Sequence, residues 1–286
     1  MLAFSALVAG SFPLGAAAAN DISPLALNAV RFALAAGVIG AVVALRGGVS
    51  RAALRAPWRY AALGGVFAIY FVLMFEGLKT AAPVSAAAVF TLTPVMAAGF
   101  GWWLLGQRTG PRVALALALG ATGALWVIFR ADLDALRAFA VGRGEWIYLA
   151  GCAAHAFYTP LVRRLNRGES ALVFTFGTLV AGTLVLGAVG APAIAATDWT
   201  ALPARVWVAI GYTALFASAA TFTLLQFASL RLPSSKVMAY TYLVPAWVTL
   251  WGLALGRPAP PEGVLIGVVL TVLALVLLLR EDAPEG

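Results

Sequence analysis

Ten apolar runs, each followed by a short polar break, make up almost the whole chain. A helix that crosses a bilayer needs about 20 mostly apolar residues, and each run is close to that length. We therefore predict ten membrane-spanning helices, which we number run 1 to run 10 along the chain. The runs lie near residues 1–19, 25–45, 58–78, 84–105, 111–129, 145–162, 170–190, 204–228, 234–255 and 262–279.

Composition separates this class from that of a soluble helical protein. Of the 286 residues, 63% are apolar and 10% are charged, whereas soluble domains are about 45–50% apolar and about 25% charged. The net charge of +8 comes from basic residues scattered between the runs, so nucleic-acid binding is not expected. The chain is predicted to be an all-α integral membrane protein without a soluble domain.

The basic residues also predict the orientation of the chain. If the N-terminus is inside, the cytoplasmic breaks and the C-terminal tail carry twelve lysines and arginines, and the other side carries seven. This excess favours both termini in the cytoplasm. The Arg-, Ala- and Gly-rich composition indicates a GC-rich bacterial genome. The twelve are Arg46, Arg51, Arg55, Arg59, Arg108, Arg112, Arg163, Arg164, Arg167, Arg231, Lys236 and Arg280.

Run 1 ends in the letters GAAAAND, which resemble the cleavage site of a signal peptide. No basic residue precedes the run, as a signal peptide would require, so we expect it to be retained.

Prolines interrupt the apolar runs at matching places. Pro94 in run 4 and Pro245 in run 9 each leave the carbonyl four residues earlier, of Phe90 and of Thr241, without its helical amide. These carbonyls are expected to face water or the ammonium group of a substrate. The alternative is that both prolines only kink packed helices. Pro13 and Pro160 stand 147 residues apart in runs 1 and 6 and are predicted to break those helices too.

The matching prolines predict two halves of five runs each. The first half is residues 1–130, residues 131–144 form a connecting loop, and the second half is residues 145–286. Because five is odd, the second half must be inverted relative to the first. Inverted repeats around a central cavity are typical of secondary transporters, with the substrate near the middle of the membrane.

These segments resemble the EamA family of the drug/metabolite transporter superfamily, and most of all its YddG-type aromatic amino-acid exporters. The resemblance rests on PLALNAVRFALAA (residues 24–36), APVSAAAVFTLTPVMAAGFGWWLLGQRTGP (82–111), LGATGALWVIF in run 5 and YLVPAWVTLWGLALGRPAPPEGVLIGVVL (242–270). It implies ten helices, a bacterial inner (plasma) membrane location, and export of aromatic and other neutral amino acids by alternating access. The chain departs from the family at Gln107 and Arg257, where a glutamate is usual, and at Glu76, where a small residue is usual.

His155, the one histidine of the chain, is the clearest candidate for a functional side chain within a run. Ionisable groups inside a membrane are costly and are therefore functional candidates. His155 is predicted to bind a substrate carboxylate or to titrate as a coupling group, and the alternative is a packed neutral histidine.

Two other polar sites have alternatives that the residues leave open. Glu76 precedes Lys79 by three residues, so it either forms an ion pair on one helix face or contacts the ammonium group of a substrate. Asn28 and Arg31 begin run 2, and Arg31 is expected to tie helix ends or loop carbonyls.

Aromatic residues near the middle of the runs would suit an aromatic substrate. In run 9, Tyr242, Pro245 and Thr249 share one face, which we favour for the cavity, and Trp247 lies on the opposite face. The predicted substrate-binding residues are His155, Tyr158, Tyr70, Glu76, Phe90, Thr91, Tyr242 and Trp247. The predicted helix-break and gating residues are Pro13, Pro94, Pro160 and Pro245.

The predicted function is facilitative export of small amphipathic metabolites, because no aspartate or glutamate lies in the middle of a run. The alternative is efflux of drugs, cationic toxins or other metabolites, with or without coupling to protons through His155. We predict no enzymatic activity, no cofactor and no metal, since Cys152 and His155 are the only reactive pair and no third group orients them. Nor does the chain offer a sizeable loop to a protein partner. Gly263 and Gly267 suit helix packing within a monomer or, less so, a weak homodimer.

Overall fold

The computed structural model describes residues 1–279, and all regular elements in this range are helical. Arg280 and the predicted cytoplasmic tail lie outside the described residues. Helices coincide with each of the ten runs, and one further short helix lies in the connecting loop. They are α1 Leu2–Ala9, α2 Ser11–Ala18, α3 Pro24–Leu45, α4 Trp58–Gly77, α5 Pro83–Phe90, α6 Thr93–Leu105, α7 Pro111–Ile128, α8 Leu133–Arg137, α9 Arg143–Leu165, α10 Ala171–Ala196, α11 Ala204–Ala214, α12 Thr221–Ser229, α13 Ser234–Ala239, α14 Val244–Ala254 and α15 Glu262–Leu279.

Within residues 1–279, eight helical segments are long and apolar enough to cross a membrane. They correspond to runs 2, 3, 4, 5, 7, 8, 9 and 10. Run 1 forms a shorter apolar segment, Leu2–Ala18, and run 6 forms α9, which has 23 residues with charged side chains near both ends. The chain is therefore an all-helical, multi-pass membrane protein.

Three of the four predicted proline breaks occur. Helix α1 ends at Ala9 and α5 ends at Phe90, which are the residues four positions before Pro13 and Pro94. In run 9 a 3₁₀ turn at Tyr240–Leu243 separates α13 from α14 ahead of Pro245. Each break falls where the proline removes a backbone donor.

The break predicted at Pro160 is wrong. Helix α9 runs from Arg143 to Leu165 without interruption. Neighbouring helices α4 and α6 pack along α9, and a membrane helix held by such neighbours tolerates one missing hydrogen bond.

Two elements have no counterpart in the predicted pattern. Run 8 contains a π-helical turn, Leu215–Ala220, which joins α11 to α12. The connecting loop contains the short helix α8, whose first amides, those of Asp134 and Ala135, donate to the Asp132 carboxylate. π-Helical turns occur frequently at functional sites, so the turn in run 8 bears on the site described below.

Small residues set the closest helix contacts. Helix α10 packs on α3 and α4, and α7 packs on α15. A Cβ atom on Gly64 of α4 would lie 2.5 Å from the backbone nitrogen of Gly182 in α10. A Cβ atom on Gly267 of α15 would lie 2.7 Å from the carbonyl oxygen of Gly123 in α7. Gly267 therefore packs against another helix of the same chain, which is the monomer alternative given above.

Candidate functional site

A closed crevice lies in the interior, between α1 and α2, α4, α9 and the π-helical turn with α12. Its free volume is about 10 Å³, which is roughly that needed by one water molecule. Ligand pockets usually measure about 300–1,000 Å³, so the crevice in this structure is too small to hold a small-molecule ligand. The crevice is lined by Phe4, Val8, Ser11, Phe67, Tyr70, Phe71, Met74, His155, Ala217, Thr221, Phe222 and Leu225.

Aromatic rings surround His155 in this crevice. The imidazole stacks on Phe67 with ring centroids 5.2 Å apart, and its centroid lies 4.4 Å from that of Tyr70 and 5.2 Å from that of Phe90. The side chain is buried. Three predicted binding residues, His155, Tyr70 and Phe90, are thus brought together by α9, α4 and α5.

Two polar atoms on the crevice have no hydrogen-bond partner among the described residues. They are Oγ of Ser11 and Nδ1 of His155. Most buried polar atoms in proteins have a partner, so these two are available to a ligand. Apolar walls with a few convergent polar groups are the usual make-up of a small-molecule site.

A second buried polar cluster lies beside the crevice and was missed by the sequence analysis. The Gln226 amide donates to the hydroxyl of Tyr158 at 2.8 Å and to that of Thr178 at 3.2 Å. The Tyr158 ring stacks on Phe67 at 4.1 Å. Gln226 Oε1 and Thr175 Oγ1 have no partner among the described residues. An amide in the apolar letters TFTLLQFASL of run 8 is the signal that could have identified this cluster.

Glu76 does not reach the crevice. Its carboxylate accepts from Lys79 Nζ at 2.7 Å, at the end of α4, where both side chains are partly exposed. The ion-pair interpretation is therefore the one that the structure supports.

The face of run 9 that we favoured for the cavity points elsewhere. Tyr242 packs against Gly120 of α7 and lies in a separate apolar cluster with α7 and α15. The indole of Trp247 instead donates to Ser5 Oγ at 3.2 Å, so it faces α1. No residue of run 9 lines the crevice, so the favoured face does not form its wall.

The carbonyls freed by the prolines are satisfied locally, which corrects the expectation that they face a substrate. The Thr93 hydroxyl donates to the Phe90 carbonyl at 2.7 Å. The amide of Val244 donates to the Thr241 carbonyl. Thr91, another predicted binding residue, is buried and donates to the Ala88 carbonyl at 2.6 Å.

Ion pairs join the helix ends at both sides of the bundle. At the end where α4 and α10 begin, Arg59 donates to Glu169 at 2.6 Å, and both side chains are buried. At the opposite end, Arg205 donates to both carboxylate oxygens of Asp21 at 2.6 and 2.7 Å. The hydrogen bond from Arg205 lowers the pKa of Asp21.

Glu169 is held in its ionised form by this arrangement. Burial opposes its ionisation, but hydrogen bonds from Arg59 and from the amide of Arg167 outweigh burial and lower its pKa. The carboxylate therefore stays charged at neutral pH and bridges α4 to the loop between α9 and α10.

A larger cavity of about 630 Å³ lies at the end of the bundle near Arg46, Glu169 and Arg231. None of its lining residues has a buried side-chain polar atom that lacks a partner, whereas the crevice has two such atoms. We therefore take the crevice as the candidate site. Within residues 1–279, no three His, Cys, Asp or Glu side chains lie close enough to hold a metal.

Comparison with known proteins shows what the chain resembles. A model of the EamA-like transporter family matches residues 1–129 and 142–280. The uncharacterized transporter YyaM of Bacillus subtilis is 27% identical over 96% of this chain and 91% of YyaM. The aromatic amino acid exporter YddG of Ancylobacter novellus is 29% identical over 43% of each chain. One crystal structure superposes on this chain with a TM-score of 0.74 and 22% sequence identity. The match covers 99% of this chain and 98% of the chain in the crystal structure, so the two share a fold.

Proposed function

Because the chain belongs to the EamA-like transporter family, we propose that it is a facilitative exporter of aromatic and other neutral amino acids in a bacterial inner membrane. The observation that carries the proposal is the crevice, which combines aromatic walls with two unpartnered polar atoms. An amphipathic solute with an apolar side chain and a polar end matches this lining. The exporter YddG, a partial relative, is named for aromatic amino acids.

We further propose ten spans arranged as two inverted halves. The packing of helices supports this arrangement. Helix α4 of run 3 packs on α9 of run 6, and α11 of run 8 packs on α2 of run 1. The ion pairs follow the same correspondence between the two halves. Arg59 of run 3 bonds the loop after run 6, and Arg205 of run 8 bonds the loop after run 1.

Alternating access then has a simple structural form. The crevice is lined by runs 1, 3, 6 and 8, which are corresponding pairs from the two halves. In this conformation, one ion pair between different segments of the chain joins each end of the bundle. Opening toward one side would separate the pair at that side and keep the other pair intact.

The composition of the crevice supports facilitated rather than proton-driven transport. No carboxylate is among its lining residues. A proton on His155 would place a positive charge among aromatic rings with no described counter-charge on the crevice, which is costly. We propose that His155 acts as a neutral hydrogen-bonding ligand.

The test is uptake of radiolabelled phenylalanine, methionine and lysine by liposomes that contain the purified protein. We expect saturable uptake of the first two that does not depend on a pH gradient. Ala217→Phe would fill the crevice and should abolish uptake, while Leu184→Phe adds the same ring at an exposed position on α10 and should not.

Three results would contradict the proposal. Absence of uptake of both neutral amino acids by folded protein would exclude this substrate class. Normal uptake by the Ala217→Phe variant would exclude the crevice as the site. Strong dependence on the pH gradient would replace facilitated transport with proton coupling.

A further inference from the structure

Arg31 is a buried cation inside the membrane-spanning part of the protein. It is the eighth residue of α3 and has no exposed surface. None of the ion pairs formed by residues 1–279 includes it. A guanidinium stays protonated in proteins, so Arg31 carries a positive charge. Because it forms no ion pair, no carboxylate of residues 1–279 compensates that charge. Such a charge in a membrane is costly and points to a function.

The π-helical turn of run 8 occupies the hydrogen-bonding edge of this guanidinium. Nε of Arg31 donates to Ser218 Oγ at 2.7 Å, and one terminal nitrogen donates to the Ala217 carbonyl at 2.7 Å. The other terminal nitrogen makes a longer contact of 3.4 Å with Asn28 Oδ1. Two parallel N–H groups are the fork with which arginine binds a carboxylate. Here two neutral oxygens, Ser218 Oγ and the Ala217 carbonyl oxygen, occupy the positions that the two oxygens of a carboxylate would take.

The same groups form part of the wall of the crevice. Ala217 lines it, and so does Phe71, whose ring lies 3.7 Å from the Arg31 guanidinium carbon. Arg31 itself stands behind these two residues. A widening of the crevice at the π-helical turn would therefore expose the N–H groups of Arg31 that now bond Ser218 and Ala217.

We infer that Arg31 receives the carboxylate of the transported solute, in exchange for Ser218 Oγ and the Ala217 carbonyl. The substrate class is then a carboxylate that carries an aromatic or other apolar group, and an ammonium group alone is not sufficient. The carboxylate supplies the missing counter-charge, and the π-helical turn moves away from the fork when it binds. This inference rests on the proposed function for transport, but binding can be tested without transport.

The first test separates the two charged ends of phenylalanine. Thermal stabilisation of the purified full-length protein is measured with phenylalanine, with 3-phenylpropionate, which lacks the ammonium group, and with phenethylamine, which lacks the carboxylate. We expect the first two to raise the melting temperature in a saturable way and phenethylamine not to do so. Equal stabilisation by phenethylamine, or none by 3-phenylpropionate, would overturn the inference.

The second test uses variants. Arg31→Gln is expected to bind 3-phenylpropionate at least tenfold more weakly, and Arg31→Lys should keep part of the affinity. Arg137→Gln, an exposed arginine of α8, is the control and should bind as the natural protein does. Unchanged binding by folded Arg31→Gln would overturn the inference.

Ser218→Ala provides a variant in which Arg31 is retained. It removes one of the two oxygens that compete for the fork, so 3-phenylpropionate should bind at least as tightly as before. A tenfold loss would mean that Ser218 holds the ligand, and would overturn the inference even if Arg31→Gln does not fold. If 3-phenylpropionate binds through Arg31 but no amino acid is taken up by liposomes, the inference stands and the proposed substrate does not.

Discussion

The hydroxyl oxygens of Thr93 and Thr241 lie 3.3 Å apart in the interior and join the helix breaks of runs 4 and 9. The single hydroxyl proton of Thr93 is donated to the Phe90 carbonyl. Thr241 must therefore be the donor to Thr93. Each half of the chain thus contributes a threonine beside its broken helix, and one of them also satisfies the carbonyl that Pro94 leaves free.

Thr93→Val is expected to lower the free energy of unfolding by about 1–3 kcal/mol, because it leaves the buried Phe90 carbonyl without a donor. Thr241→Val removes only the bridge, and should cost about 0.5–1.5 kcal/mol. Unfolding in mixed detergent micelles measures both. Thr122→Val is the control, since its hydroxyl lies at an exposed position of α7. Equal stability of Thr93→Val and Thr122→Val would contradict the assignment.

Pro94→Ala and Pro245→Ala are expected to slow transport while the protein stays folded. Alanine restores a backbone donor, and a more continuous helix would resist the movement of one helix half against the other. Pro192→Ala is the matched control, because Pro192 is exposed and lies within the uninterrupted helix α10. Initial rates of uptake by liposomes measure the effect. If both variants transport at the normal rate, the prolines serve packing alone.

Gly64→Ala is expected to destabilise the protein by about 1–3 kcal/mol, since the added methyl group would meet the backbone of α10 at Gly182. Gly65→Ala, one residue along, meets no atom within 4 Å and should gain about 0.5–1 kcal/mol from helix propensity. Unfolding in mixed micelles compares the two. Similar stability of both variants would contradict the close contact of α4 with α10.

The Arg59–Glu169 pair predicts a loss of stability in acid. The pKa of Glu169 in the folded protein lies below its ordinary value of 4.5. The pair therefore contributes fully above about pH 4.5, and its contribution is lost as the pH falls through the lower pKa of the folded state.

Glu169→Gln should cost about 1.5–3 kcal/mol at pH 7, which is the value of a hydrogen bond to a charged group. It should also remove part of the loss of stability that occurs as the pH falls below about 4.5. Thermal unfolding as a function of pH measures this. Asp134→Asn, in an exposed ion pair of α8, is the control. An unchanged pH profile in Glu169→Gln would show that the pair does not stabilise the fold.

The candidate site could be anticipated only in part. His155 stood out because it is the one histidine and lies within an apolar run, and Tyr70, Phe90 and Tyr158 stood out as aromatic residues at similar depth. Tyr242 looked equivalent by depth, yet it packs against α7 and α15. Depth along a run is readable from the letters, but the direction of a side chain depends on the turn of the helix, which the 3₁₀ segment at Tyr240–Leu243 changes.

The sequence by itself determined the membrane class, the helical runs and the breaks at Pro13, Pro94 and Pro245, because apolar length and a missing backbone donor act locally. Only the tertiary structure decided that Pro160 lies in an unbroken helix, since neighbouring helices hold α9 together. Only the tertiary structure brought Arg31 to the π-helical turn at Ala217 and Ser218, which lie nearly 190 residues later in the chain. Such a contact depends on how helices pack against one another, and no local pattern of residues encodes it.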